Sequence, residues 1–97
     1  MLKPEIEAAL NKQLNWEQTA AHEYLGMAAY FEQQSLKGFA TFMRKQSEEE
    51  TEHAMRIFDH IFERGGKVTL GSITEPAVDF ASAKAVFEAA LAREQSN

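Results

Sequence analysis

Apolar residues recur along the first third of the chain at Ile6, Leu10, Leu14, Ala21, Tyr24, Leu25, Ala28 and Phe31, a spacing that gathers them on one side of an α-helix. Pro4 suits the first turn, where a missing N–H breaks no helical bond. The pattern predicts a helix over about residues 4–34, broken near Ser35 and Gly38. A second periodic run through Phe39, Met43, Ala54, Ile57, Phe58 and Ile61 predicts a helix over about residues 36–64. It stops at Gly65 and Gly66, because glycine enters the left-handed conformation that closes a last turn without a Cβ clash. Each helix is roughly 30 residues, or ~45 Å at 1.5 Å per residue, and the short connection makes them antiparallel neighbours.

Residues 65–81 contain Gly71, Pro76 and several β-branched residues without helical periodicity. They read as an extended connection, long enough to run back along a helix and to lay Val68 and Ile73 on the core. Ser82 can cap a third helix over about residues 83–95, with an apolar stripe of Ala83, Val86, Phe87, Ala90 and Leu91 that Glu94 continues. The fold class is therefore all-α: a long antiparallel helical hairpin plus a short third helix, in a single domain over residues 1–97. One short helix cannot cover two long apolar stripes, and a four-helix bundle normally closes such a core, so a second copy of the chain is expected to complete it. Ala9, Trp16, Met27 and Tyr30 lie on another side of the first helix. Either a second protein or the connection after Gly66 covers them.

Composition narrows the function. With 97 residues the chain is near the size at which one core becomes marginal. No apolar run is long enough to span a bilayer, so no membrane partner is expected. The net charge is -5, with basic and acidic residues interspersed, which argues against a nucleic-acid partner. Cysteine is absent, so disulfide, thiolate and iron–sulfur chemistry are excluded and any metal must be held by Glu, Asp and His. The N-terminus lacks the apolar core of a secretory signal, and a cytoplasmic location is the expectation.

Glu17 falls inside the apolar stripe of the first helix, between Leu14 and Ala21. Glu50 and His53 fall inside the stripe of the second and share a face at a spacing of three. An inward carboxylate needs a counter-charge, a hydrogen-bond network or a metal. Glu-x-x-His alone is a weak motif, but three inward ionisable residues on adjacent helices point to a metal site. Four-helix di-iron carboxylate proteins draw a Glu from each of two helices and a Glu-x-x-His from each of the other two. This chain carries half of that set, which two copies related by a two-fold axis would complete. Tyr24 lies two turns after Glu17, where its hydroxyl can hydrogen-bond a ligand or donate an electron. His22 and His60 read as structural or solvated.

At these residues the sequence resembles the bacterial non-haem ferritin family. The likeness is carried by Met1-Leu2-Lys3-Pro4-Glu5, Asn15-x-Glu17, Tyr24, Phe42-x-x-x-Gln46, Glu49-Glu50-x-x-His53 and Phe58-Asp59. It implies that Glu17, Glu50 and His53 bind the first iron of a di-iron ferroxidase centre and that Glu50 bridges to the second. It further implies Glu94 as a ligand of the second iron, Glu49 as part of an additional iron site, and Tyr24 as the tyrosine beside the centre. Family members continue through the rest of the third helix, a fourth long helix and a short terminal helix. The likeness covers only the N-terminal half, so this chain is expected to pair two halves into one bundle or to assemble differently from a ferritin cage.

The expected function is oxidation of Fe(II) to Fe(III) by oxygen or peroxide in a homodimer or higher homo-oligomer, serving iron storage or detoxification. The alternative is a non-catalytic helical dimerisation module, or a ferritin fragment, in which the inward Glu and His are only hydrogen-bonded. A further alternative keeps the site but fills it with manganese or zinc.

Overall fold

The computed structural model describes residues 1–95. They form α1 (Pro4–Gln33), α2 (Lys37–Glu63) and α3 (Ala83–Gln95), and there is no strand among the described residues. The molecule is elongated, 49 × 20 × 19 Å, as a long hairpin requires. No described helix is long and apolar enough to cross a membrane.

Pro4 opens α1, and the Lys3 carbonyl accepts from the N–H groups of Ile6 and Glu7 at 3.0 and 2.9 Å. At its far end the Gln34 N–H donates to Tyr30 O and the Leu36 N–H to Phe31 O, with Ser35 between them in the left-handed region at φ 59°. The reversal is thus made by a serine, and Gly38 lies in open space within α2. After α2, Gly65 takes φ 74° and the Gly66 N–H closes onto Ile61 O at 2.8 Å, the stop its sequence predicts. Ser82 caps α3 by accepting from the Ala85 N–H at 3.1 Å.

Two apolar clusters fill the hairpin. Towards the α1–α2 turn lie Tyr24, Met27, Ala28, Tyr30, Phe31, Ala40 and Met43, with Val86 contributed by α3. Towards the other end lie Leu14, Ala54 and Ile61, flanked by Leu2, Leu10, Ile57, Phe58 and Val68. The connection between α2 and α3 runs parallel to α1. Its Lys67 N–H donates to Glu7 Oε1, its Thr69 N–H to Asn11 Oδ1, and Asn15 Nδ2 donates to Ser72 O. Farther along, Ala77 O sits where a Cβ on residue 26 would meet it at 2.3 Å, so Gly26 is what lets the connection lie flat.

This path answers the question left open for the second side of α1. Met27 and Tyr30 are buried by the same chain, with the Phe80 ring 5.5 Å from Tyr30, and Trp16 lies under Arg93 of α3. No second protein is needed there, and Ala9 is simply exposed. The opposite correction applies to Ile6, Leu25, Phe39, Phe87 and Leu91. Periodicity places them in apolar stripes, yet they are exposed: Ile6 near the start of α1, Leu25 beside a different groove, and Phe39, Phe87 and Leu91 on a side that no element among the described residues covers. Phe39, Phe42 and Phe87 cluster there, with ring centroids 5.2 Å apart for Phe39–Phe87 and 6.2 Å for Phe42–Phe87.

Candidate metal centre

The site lies at the seam between the two clusters. Glu17 is one turn from Leu14 on α1, and Glu50 is one turn from Ala54 on α2, so the periodicity that buries the apolar residues carries both carboxylates inward. Both are 6% exposed. Register is fixed close by, where Ser47 Oγ donates to the Ala21 carbonyl at 2.7 Å. Ala21 is one turn beyond Glu17 and Ser47 one turn before Glu50.

Donor atoms of Glu17, Glu50 and His53 lie within 4.8 Å of one another. His53 Nδ1 is 3.4 Å from Glu17 Oε2 and 3.7 Å from Glu50 Oε2, and its ring is half exposed at the mouth. The Glu50 carboxyl is pushed up to about 7, first by burial, then by a hydrogen bond with Glu17 and by the negative charges of Glu17 and Glu94. One carboxylate oxygen, Glu50 Oε2, is buried without a hydrogen-bond partner. A buried, unsatisfied carboxylate oxygen facing another carboxylate and an imidazole is unfavourable alone and suits a divalent cation. The donor set of oxygens with one imidazole nitrogen fits iron, manganese or zinc.

Beside Glu50 and His53 opens a groove of about 430 Å³, lined also by Tyr24, Gln46, Glu49, Glu94 and the apolar Phe42, Phe87, Ala90 and Leu91. Tyr24 is buried and donates its hydroxyl to Glu94 Oε1, which raises its ionisation above the ordinary tyrosine range, with burial the larger cause. Glu94 therefore lines the same groove as Glu50 in the single chain, outside the group formed by Glu17, Glu50 and His53. Glu49 is exposed on the rim of the same groove. His22 is exposed and lines a different groove with Leu25 and Met55, and His60 is exposed away from the site.

Gln46 falls in the inward stripe of the second helix and lines the groove, but periodicity did not single out Arg93 as a neighbour. The Arg93 guanidinium lies 4.5 Å over the Trp16 ring, donates through Nη2 to the Trp16 carbonyl at 3.0 Å and approaches Glu23 through Nε at 3.2 Å. Its place at the spacing of Val86, Ala89 and Ala90 on α3 is the one sequence signal of an inward arginine.

Comparison with known proteins agrees with this architecture. Residues 7–97 match the Ferritin family, described as a ferritin-like domain. The chain is 44% identical over 95 residues to the bacterial non-heme ferritin of Staphylococcus epidermidis and 39% identical to that of Staphylococcus aureus, covering 98% of this chain and 57% of each relative. Among solved structures it superposes on the open-pore ferritin of the hyperthermophilic archaeon Archaeoglobus fulgidus with a TM-score of 0.94 at 42% identity, covering 98% of this chain and 58% of that one. A humanized archaeal ferritin gives a TM-score of 0.96 at 41% identity. The chain thus spans little more than half the length of the relatives it matches.

Proposed function

From the premise that this chain belongs to the ferritin family, we propose that it takes Fe(II) as substrate at Glu17, Glu50 and His53 and oxidises it to Fe(III). The observation that carries the reading is the convergence of two buried carboxyls and an imidazole around an unpartnered carboxylate oxygen. Glu50, between Glu17 and Glu94, is the residue suited to bridge two ions, and Glu94 the donor suited to the second. Two Fe(II) ions yield one electron each, and the pair reduces oxygen with two protons to hydrogen peroxide, or peroxide with two protons to water. Negative carboxylates favour the more highly charged product ion, and the apolar Phe42, Phe87 and Leu91 limit water at the centre once a second copy covers them. Tyr24 holds Glu94 through its hydroxyl.

Three donors from α1 and α2 leave a hard ion short of its usual ligand number, and the exposed aromatic side of the hairpin leaves the bundle open. A second copy packed on the exposed aromatic side closes the bundle, so the working unit is a homo-oligomer. A role in cytoplasmic iron storage or detoxification follows from that chemistry. The test is anaerobic Fe(II) titration followed by oxygen, in the parent chain and in a Glu50→Ala, His53→Ala variant, with the mass in solution measured alongside. Saturable oxidation that depends on the two residues, at an even number of chains, is expected. Equal oxidation by parent and variant would leave a structural helical module as the better reading.

A further inference from the structure

α3 is held at its start by apolar packing of Val86 with Ala83, Ala89 and Ala90, but one turn later the inward position belongs to Arg93. We propose that Arg93 is a positioning residue that locks Glu94 at the metal centre and thereby sets the affinity for a second metal ion but not for the first. The inference rests on the reading of Glu94 as a donor to that second ion.

The argument lies in three adjacent pairs. Arg93 grips Trp16, whose neighbour is Glu17; it pairs with Glu23, whose neighbour is Tyr24; and its own neighbour is Glu94. Successive helical residues diverge by about 100°, so Trp16, Glu23 and Arg93 form a layer behind Glu17, Tyr24 and Glu94, the last two of which line the groove. The guanidinium works as a plane over the indole, as a donor to the Trp16 carbonyl and as a charge beside Glu23, and only 17% of its side chain is exposed. Glu17, Glu50 and His53 do not depend on this clamp, since α1 and α2 are registered by the Ser47 bond and by both apolar clusters. Glu94 alone among the proposed donors rides on α3, where Leu91 is 60% exposed and adds little hold.

The test is anaerobic Co(II) titration of the full chain, followed by visible absorbance and calorimetry, in the parent, Arg93→Ala, Arg93→Lys and Glu94→Ala. A tight and a weaker ion are expected in the parent. Arg93→Ala leaves the tight ion within about twofold and weakens the other roughly 10–100-fold, the range for residues that orient a ligand. Arg93→Lys keeps the charge without the flat fork and falls nearly as far, and adding Arg93→Ala to Glu94→Ala changes little more. Trp16, the only tryptophan, reports loss of the clamp as a change in emission. The proposal is overturned if Arg93→Ala and Arg93→Lys, at parental helical content, bind both ions as the parent does, or lose both in equal proportion. A Glu94→Ala chain that keeps the second ion would instead remove the assignment of Glu94 itself.

Discussion

The two apolar clusters on either side of the carboxylates are closed by different means. Towards the α1–α2 turn the cluster is aromatic, with Phe31 in contact with the rings of Tyr30, Phe39 and Phe87, and α3 closes it by burying Val86. At the other end the buried residues are Leu14, Ala54 and Ile61, and closure comes from the N-terminus and from a connection held by side-chain bonds of Glu7, Asn11 and Asn15. A buried aromatic removes some 150–250 Å² from water, whereas an intramolecular hydrogen bond contributes about 0.5–1.5 kcal/mol net. Stability is therefore concentrated at the turn end, and the connection is the first part to open. Glu17, Glu50 and His53, the proposed donors, sit between a rigid end and a looser one.

Phe31→Ala is the strongest way to break that asymmetry. The side chain has no exposure and sits among three rings, so truncation is expected to cost about 3–5 kcal/mol. Chemical denaturation at matched chain concentration measures it, with Ile61→Ala as the counterpart at the other end. A larger loss for Ile61→Ala would reverse the comparison.

Glu50 sharpens it at the seam. Its carboxyl titrates near 4.5 in the unfolded chain and about 7 in the fold, because burial and the Glu17 contact penalise the charge. The folded state then binds the proton more tightly across that window, so metal-free stability falls as pH rises from about 4.5 to about 7 and the full penalty stands above it. Glu50→Gln is expected to flatten this slope and to melt higher than the parent at pH 8 without metal. The same change should abolish the rise in melting temperature on adding Fe(II) or Co(II), which the parent shows most above pH 7. A parent whose metal-free melting is flat over this range would contradict the buried-charge account.

Gly26→Ala tests the connection where it crosses α1. Alanine favours helix over glycine by about 1 kcal/mol, but its Cβ would meet the Ala77 carbonyl at 2.3 Å, and backbone cannot give way as a side-chain tip can. A net loss of roughly 1–2 kcal/mol in thermal melting is expected, together with faster proteolysis near Pro76. A gain would show that the connection moves aside freely.

Much of this architecture is legible from period alone, because the long stripes of α1 and α2 leave no choice but a hairpin. The convergence of Glu17, Glu50 and His53 is legible for the same reason: charged residues in apolar registers must meet inside. What period cannot show is which apolar face the chain itself covers. Tyr30 and Phe39 look alike in sequence, yet Phe80 helps bury one while the other stays 43% exposed beside Phe31 and Phe87. Ser35 took the left-handed turn position because the closing bonds of α1 demand it there, three residues ahead of the nearest glycine, Gly38. Arg93 was illegible because an arginine at an apolar register is ordinarily read as a solvated edge, and its partners lie far away in sequence.

The smallest effects belong to Asn11 and Asn15, of which Asn11 acts as a short piece of strand edge for the connection. Its Oδ1 accepts from the Thr69 N–H at 2.8 Å, and its Nδ2 donates to the Lys67 carbonyl at 2.9 Å and to Glu7 O at 3.1 Å. These bonds are near solvent, so water replaces most of what Asn11→Ala removes, and a loss of about 1 kcal/mol is expected. Asn15→Ala should cost less, since its bond to Ser72 O is 3.3 Å long. The informative readout is location. Hydrogen exchange should rise at Thr69 and its neighbours while Ala40 and Met43 stay protected, and Co(II) affinity should hold, because Glu17, Glu50 and His53 lie on helices whose register does not pass through the connection. If metal affinity fell with Asn11→Ala, the looser end would be part of the site's support and the seam would not isolate the donors from it.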